Sequence, residues 1–448
     1  MIPKLSKKGL VCALALVVTG QALAKDKVFP YDIHESEMEN GLKVLTVPFD
    51  SPGIVTFYMV VRVGSREEVE KGVTGFAHFF EHCMFRGTDA YPKERYNETL
   101  QEIAAAGNAN TWHDRTCYYF TGNADYLEKM FEIESDRFQR LKYSEQGFKT
   151  EAGAVLGEYT KNFSNPFRQL LSEAGEVAFD KHTYKHTTMG FLEDIKDMPN
   201  QYEYSLKFYD RFYRPEYCTL MVVGDATHDQ VMKLANQYFG SWERGSYVPK
   251  IPVEPEQTAE RKSHIKFPGG VTMLDLAYKG PAFSDSTKEK VALDLMLEIA
   301  FSQKSDIFQK LVLKEQKARF INAFAWDSRD PNLIHLIAQP FAVEDTAYIR
   351  DEIEKTLETF KTTPVDGNDL KDVKSRLRYG MAGSFDTPLS VAENLATYIW
   401  LTGDAKSLNR VYDLYEQVTP QDIMDAARKF FVKETRTMIT LSGEEEGR

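Results

Sequence analysis

Two blocks near the start of the chain cluster or alternate β-branched and aromatic residues: NGLKVLTVPFD (40–50) and GIVTFYMVVRVGS (53–65). Turn residues separate them, so they predict antiparallel strands. Helical patterning follows at about 74–85 and in RYNETLQEIAAAG (95–107), which Gly107 would end. NANTWHDRTCYYF (108–120) reads as strand, about 124–162 as a long helical region, and TLMVVGD (219–225) as a buried strand. The pattern then stops: GSYVPKIPVEPEQTAE (245–260) carries prolines and acids without periodicity and reads as a linker. Beyond it, strands are expected near 262–278 and 320–340, and helices near 286–316, 345–360, 367–384 and 388–402.

The two halves close on similar segments, FYRPEYCTLMVVG (212–224) and FFVKETRTMITLSG (430–443). Each runs from an aromatic pair through a turn into a strand that ends on Gly, the mark of an internal repeat. The expectation is an α+β fold of two related domains, each a mostly antiparallel sheet packed with helices. The domains would be 25–244 and 262–448, joined by a linker at 245–261. A chain of 448 residues is long for one domain and suits two.

The first 24 residues add a destination. Lys4, Lys7 and Lys8 precede an apolar run from Gly9 to Val18, and Ala22–Ala24 offers small residues for cleavage. This reads as a secretory signal, too short to span a bilayer comfortably, so the mature chain would be exported, to a periplasm first of all, with no membrane span. Cleavage removes three lysines and no acids, taking the formal charge from −12 to −15. So acidic a chain is a poor nucleic-acid binder. Cys83, Cys117 and Cys218 would remain; three cannot all pair within one chain, and buried free thiols are expected, with one disulfide as the alternative.

Candidate chemistry sits in GFAHFFEHCMFRGT (75–88). His78 and His82 are four apart, so a helix would turn both imidazoles toward one ion. Glu81 lies between them, placed to take a proton from a water activated by the metal. H-x-x-E-H is an inverzincin pattern. A catalytic zinc site needs a third protein ligand and an open position. TEAGAVLGEYTKN (150–162) offers Glu151 and Glu158, seven apart on one helix face, where one could bind metal and the other orient a ligand. The plainer alternatives are histidines on a surface or in a core, and solvated glutamates. His182 and His186 are also four apart but lack a glutamate in register and read as structural. Cys83 reads as packed, and His113 as exposed on its strand.

These segments resemble the pitrilysin-type zinc metallopeptidases, the family of insulin-degrading enzyme and mitochondrial processing peptidase. The resemblance covers nearly the whole mature chain. It is strongest in NGLKVLTVP, VRVGSREE, TGFAHFFEHCMFRGT and GNANTWHDRTCYYF, with EAGAVLGEY and YRPEYCTLMVVGD adding to it. It implies His78, His82 and Glu158 as ligands of one zinc per chain, Glu81 as the general base, and Glu151 as a partner behind the ligands. It also implies that Asn108, Ala109 and Thr111 lie on an edge strand that pairs with the backbone of a peptide substrate. Asn110 departs from the apolar or aromatic residue common there.

A second departure lies downstream. Many members carry an Arg and a Tyr, seven apart, that reach the zinc site and hold the substrate carbonyl. In QKLVLKEQKARFINAF (309–324) those positions fall on Val312 and Arg319. The resemblance thus implies a zinc endopeptidase for peptides or small unfolded proteins that works beside a related zinc-less subunit, as a heterodimer, or by self-association. A non-catalytic scaffold or peptide-binding subunit is the alternative.

Overall fold

The computed structural model describes residues 27–443, so the proposed signal segment lies outside the described residues. Six strands make the first sheet: β1 (His34–Glu37), β2 (Lys43–Pro48), β3 (Ile54–Val61), β4 (Ala106–Trp112), β5 (Arg115–Asn123) and β6 (Cys218–Gly224). Their order is β1-β2-β6-β3-β5-β4. Five make the second: β7 (Arg261–Lys266), β8 (Met273–Lys279), β9 (Ala318–Ala325), β10 (Leu333–Pro340) and β11 (Arg436–Ser442), in the order β7-β11-β8-β10-β9. Only β2–β6 and β7–β11 are parallel pairs; every other ladder is antiparallel. Without β1 the two orders superpose strand for strand, and β6 and β11 are the closing segments whose likeness was visible in the sequence. The fold is α+β with an internal repeat.

Alternation along each strand decides the packing. In the first sheet Val44, Phe57, Met59, Leu220 and Val222 face the helices of their own half. Leu45, Val47, Tyr58, Val60, Met221 and Val223 face the other way and are equally buried. What covers them belongs to the second half: the helix Pro388–Thr402 lies across β3 and β6. The exchange is reciprocal. Met273, Ala277, Ile337, Ile439 and Leu441 on the back of the second sheet are covered by Leu170, Ala174 and Ala178. These belong to the helix Pro166–Ala178 of the first half, where Asn165 is the N-cap and Pro166 occupies the first turn.

Polar contacts follow the same seam. Arg66 Nε donates to Asp330 at 2.6 Å, and Arg329 pairs with the buried Glu67 at 3.1 Å. Arg329 N–H also donates to the buried Asp114, at 3.1 Å. The segment read as a linker is fastened along its path. Glu254 accepts the backbone N–H groups of Asp180, Lys181 and His182 at 2.8–2.9 Å. Gln257 donates to the carbonyls of Glu434 and Arg436.

Several expected boundaries differ. The stretch read as strand at 108–120 is a hairpin, because the chain turns at His113–Asp114 between β4 and β5. Gly107 does not end a helix; it lies within β4, and the preceding helix is Lys93–Glu102. The long helical region is two helices, Leu127–Arg140 and Glu145–Phe163, and Ser144 caps the second by accepting from Gly147 N–H at 3.1 Å. The expected helix at 286–316 is Glu289–Phe301, a break, and a second helical stretch that Ser305 caps, Asp306–Phe308 running on as a π-helix over Gln309–Lys314. His113 is not exposed: Ser65 Oγ meets its Nδ1 at 3.1 Å, and the ring packs against Tyr184. Cys83, Cys117 and Cys218 are buried free thiols.

Because each half covers the other's sheet, cutting the connection should not separate them. A protease site placed at Val248–Val253, where both valines are exposed, is expected to give two fragments that co-elute on gel filtration. They should part only in denaturant; fragments that elute apart in native buffer would contradict the reciprocal packing.

Candidate metal centre

The helix Phe76–Cys83 carries FAHFFEHC, and its two faces have separate tasks. Phe76, Phe79 and Phe80 are buried. Phe80 stacks on Phe208 at 5.2 Å, Phe76 meets Tyr204 edge-on at 4.8 Å, and Phe79 packs against Phe148 at 4.9 Å. Phe148 belongs to the helix Glu145–Phe163, so this contact fixes the distance between the helix with the histidines and the helix with the glutamates. The start of the first helix is equally constrained. Gly75 takes a left-handed conformation, φ +88°, and a Cβ there would meet Ile195 at 2.4 Å. Buried Glu68 accepts the N–H groups of Gly75 and Ala77 at 2.8 and 2.7 Å, a carboxyl group placed on the free donors of a helix N-terminus, and burial pushes its pKa up to about 8.

On the other face, His78 Nε2 and His82 Nε2 lie 3.3 Å apart, and Glu158 Oε2 lies 3.6 Å from the first and 3.3 Å from the second. Ligand atoms about 2.0–2.1 Å from a tetrahedral zinc stand about 3.3 Å from one another. The triangle therefore has the edge lengths that zinc requires, and its donors are of the type zinc accepts. Among the described residues it is the one group of three or more His, Cys, Asp or Glu whose ligand atoms converge so closely.

The charges behind the triangle set its protonation. Burial holds His78 below its ordinary pKa, so its imidazole is neutral and able to bind metal near neutral pH. His82 Nδ1 lies 3.1 Å from Glu151 Oε1, and this hydrogen bond raises the His82 pKa. It also places the proton on Nδ1 and leaves Nε2 free toward the triangle. The same bond, with Arg86 donating to Glu151 Oε2 at 2.5 Å, holds the Glu151 carboxyl below its usual range. Arg86 to Glu151 to His82 is thus a continuous line of charge and hydrogen bonds ending on a ligand nitrogen.

Glu81 stands beside the triangle without belonging to it, and Thr111 Oγ1 donates to its Oε2 at 2.7 Å. Thr111 lies on β4, which pairs with β5 along one side, Asn108 opposite Tyr119 and Ala109 opposite Tyr118, and with no other strand among the described residues. The side chain of Ala109 is buried and Asn108 is exposed. Asn110 is tied to Arg115. A cavity of about 280 Å³ adjoins this edge, lined by Glu81, His82, Phe85, Arg86, Lys93, Asn108 and Glu151. His182 and His186 stand apart from the triangle: His182 pairs with Asp330 at 3.0 Å and His186 Nδ1 meets the Thr187 carbonyl at 3.0 Å.

Downstream, Val312 packs half-buried against the second half's core. Arg319 is exposed on β9 with its guanidinium 4.8 Å from the Phe341 ring centre. Sequence reasoning left out Glu68 and Arg86. Both lie in stretches that carried the resemblance, but nothing in their spacing shows that Glu68 folds back onto a helix start seven residues later.

Fold and site together define a two-domain α+β protein with a His–His–Glu triangle able to hold a metal ion beside a sheet edge. The chain belongs to peptidase family M16. Residues 44–190 match the model for insulinase (peptidase family M16), and residues 201–377 match the model for the peptidase M16 inactive domain. It is 25% identical over 438 residues to the zinc protease PqqE of Helicobacter pylori, covering 96% of this chain and 97% of that one. Human insulin-degrading enzyme is 28% identical over 237 residues, 51% of this chain and 23% of that much longer protein. A crystal structure of a protease from Helicobacter pylori matches with a TM-score of 0.86 at 24% identity, over 92% of this chain and 99% of that one. The periplasmic protease PqqL from Escherichia coli matches at 0.73 and 17% identity, over 93% of this chain but 48% of that chain. No helix among the described residues is long and apolar enough to cross a membrane.

Removing the Glu151 charge tests the line behind His82. Glu151→Gln is expected to weaken zinc binding roughly 10- to 100-fold, read by competition with a chelating dye. His186 supplies a pH effect. It is buried, and that burial lowers its pKa to about 4, so the folded protein keeps it neutral while the unfolded chain protonates it near 6.5. Its contribution is therefore complete above about pH 6.5 and is lost as pH falls toward 4, by about 3 kcal/mol in all. Urea melts of wild type and His186→Gln are expected to converge over that window as the wild type loses this contribution.

Proposed function

We propose that this chain is an exported zinc endopeptidase, active in the periplasm, that cleaves peptides or small unfolded proteins and holds one zinc through His78, His82 and Glu158. The observation that carries this reading is the 3.3–3.6 Å triangle of those three side chains, with Glu81 beside it and the unpaired edge of β4 within reach of both. The names of relatives agree: the Helicobacter pylori protein is called a zinc protease and PqqL a periplasmic protease.

In this reading an extended peptide adds to the outer edge of β4 through main-chain hydrogen bonds along Asn108–Thr111. Zinc, when bound, supplies Lewis acidity that polarises the scissile carbonyl and acidifies water. Glu81 accepts a proton as water attacks the carbonyl carbon. It then delivers that proton to the leaving amine nitrogen as the C–N bond breaks, and so returns to its starting state. Thr111 holds one Glu81 oxygen, leaving the other free to move the proton. Arg86 and Glu151 keep His82 in the tautomer that presents Nε2.

The substrate clamp implied by the family resemblance is absent at Val312 and Arg319. The chain also matches about half of PqqL. We infer that a related subunit without the zinc motif supplies the missing pair as the second half of the enzyme. A quenched-peptide assay tests both claims. Glu81→Gln should lower kcat roughly 100- to 10,000-fold with zinc content unchanged. Adding the related subunit should raise activity well above that of the chain alone. Full activity in Glu81→Gln would defeat the mechanism, and full activity without a partner would defeat the pairing.

A further inference from the structure

A second cluster of buried charge lies in the other half, apart from the metal triangle. Lys290, at the start of the helix Glu289–Phe301, is 3% exposed. Its ammonium sits 2.7 and 2.9 Å from the two oxygens of Asp294 and 2.8 Å from Asp327. Tyr415 donates to Asp294 at 3.0 Å. Two carboxyl groups thus share one ammonium. Burial, and after it the neighbouring Asp327, push the Asp294 carboxyl up against the pull of Lys290.

These residues line a cavity of about 190 Å³, far more room than one water needs. Two more tyrosines line it, Tyr398 and Tyr412, which are 7% and 8% exposed. Neither hydroxyl has a hydrogen-bond partner among the described residues, although both stand within the field of Asp294 and Asp327. These two hydroxyls, with the carboxylate of Asp327, which is 42% exposed, line one aromatic-walled space. The part-exposed Asp327 carboxylate, hydroxyl acceptors without a partner and aromatic faces are the features that recognise an organic cation.

We propose that this cavity is a binding site for a small organic cation, an alkylammonium or alkylguanidinium group. Its charge would pair with Asp327, its N–H groups would donate to the Tyr398 and Tyr412 hydroxyls, and its alkyl part would lie against the rings. The cavity lies within the second half, and two of its elements also touch the first. Tyr398 lies on the helix that covers the back of the first sheet, and Asp327 follows Trp326, whose ring packs 4.9 Å from Trp112 at the end of β4. Occupancy stabilises the folded state and raises the melting temperature.

Calorimetric titration of the whole chain with methylguanidinium chloride tests the site, with 1-propanol as the neutral control and tetrabutylammonium as a cation too large for the cavity. One saturable site for methylguanidinium is expected, with neither control binding. Asp327→Asn, at a half-exposed position, and Tyr412→Phe, which removes one oxygen, should each weaken it roughly tenfold. Absence of saturable binding would overturn the proposal. So would an affinity unchanged in both variants, or equal binding of tetrabutylammonium.

Discussion

The constraint on which the structure depends is that each sheet has two apolar faces and each half can cover only one of its own. β3 shows this directly: Phe57 and Met59 face one core, Tyr58 and Val60 the other, and all four are buried. Left bare, the second face would be a sheet-sized apolar patch, which soluble proteins do not tolerate. The chain meets the requirement by exchange: the helix Pro166–Ala178 crosses to the second sheet and the helix Pro388–Thr402 crosses to the first. Sequence repeats suggest two domains of the kind that fold alone. Here each half of the repeat covers the other's sheet, and buried Glu67 with part-buried Arg66, Arg329 and Asp330 pair along the seam between apolar surfaces.

That rigidity passes to the metal centre. The metal triangle needs two helices held to within a few tenths of an ångström, and neither helix is held by local propensity. Phe79 on Phe148 sets their separation, and Glu68 with Gly75 sets where the first helix begins. Metal ligands on a frayed helix would exchange positions with water; here the first turn is capped by a buried carboxyl group and its aromatic face is enclosed. The electrostatics complement this, because burial keeps His78 neutral while Glu151 fixes the His82 tautomer.

What was legible in the sequence follows from the range of each signal. His78, Glu81 and His82 needed only the geometry of one helical turn. Glu158 lies on another helix, and its place in the triangle rests on contacts such as Phe79–Phe148 that no spacing encodes; the family resemblance alone pointed to it. Strands were read as hydrophobic runs without a preferred face because both faces are buried. The hairpin at His113–Asp114 went unseen since its turn contains neither Gly nor Pro, and the break before Glu145 was masked for the same reason, with Ser144 as its only mark. The fastened linker was unreadable in kind: Glu254 and Gln257 look like solvated side chains until the backbone groups they bind come from 180–182 and 434–436.

The repeat also explains why one half carries the candidate metal site and the other does not. Between β3 and β4 the first half places FAHFFEHC; between β8 and β9 the second half places EKVALDLMLEIAF. The first helix is buried on its aromatic side and leaves Glu81 and His82 part-exposed on the other. The second is buried nearly all round, with Val291, Leu293, Leu295, Met296 and Phe301 all enclosed. A helix enclosed on every side has no face along which water and a peptide could approach, so ligands placed there would gain no substrate. Its one polar excursion, Lys290 with Asp294, turns instead toward Asp327 and the tyrosines of helices in its own half. The same topology therefore supports an open helix that carries the candidate ligands in one half and a closed helix that carries packing in the other. The difference between them is which side of the helix the rest of the chain leaves uncovered.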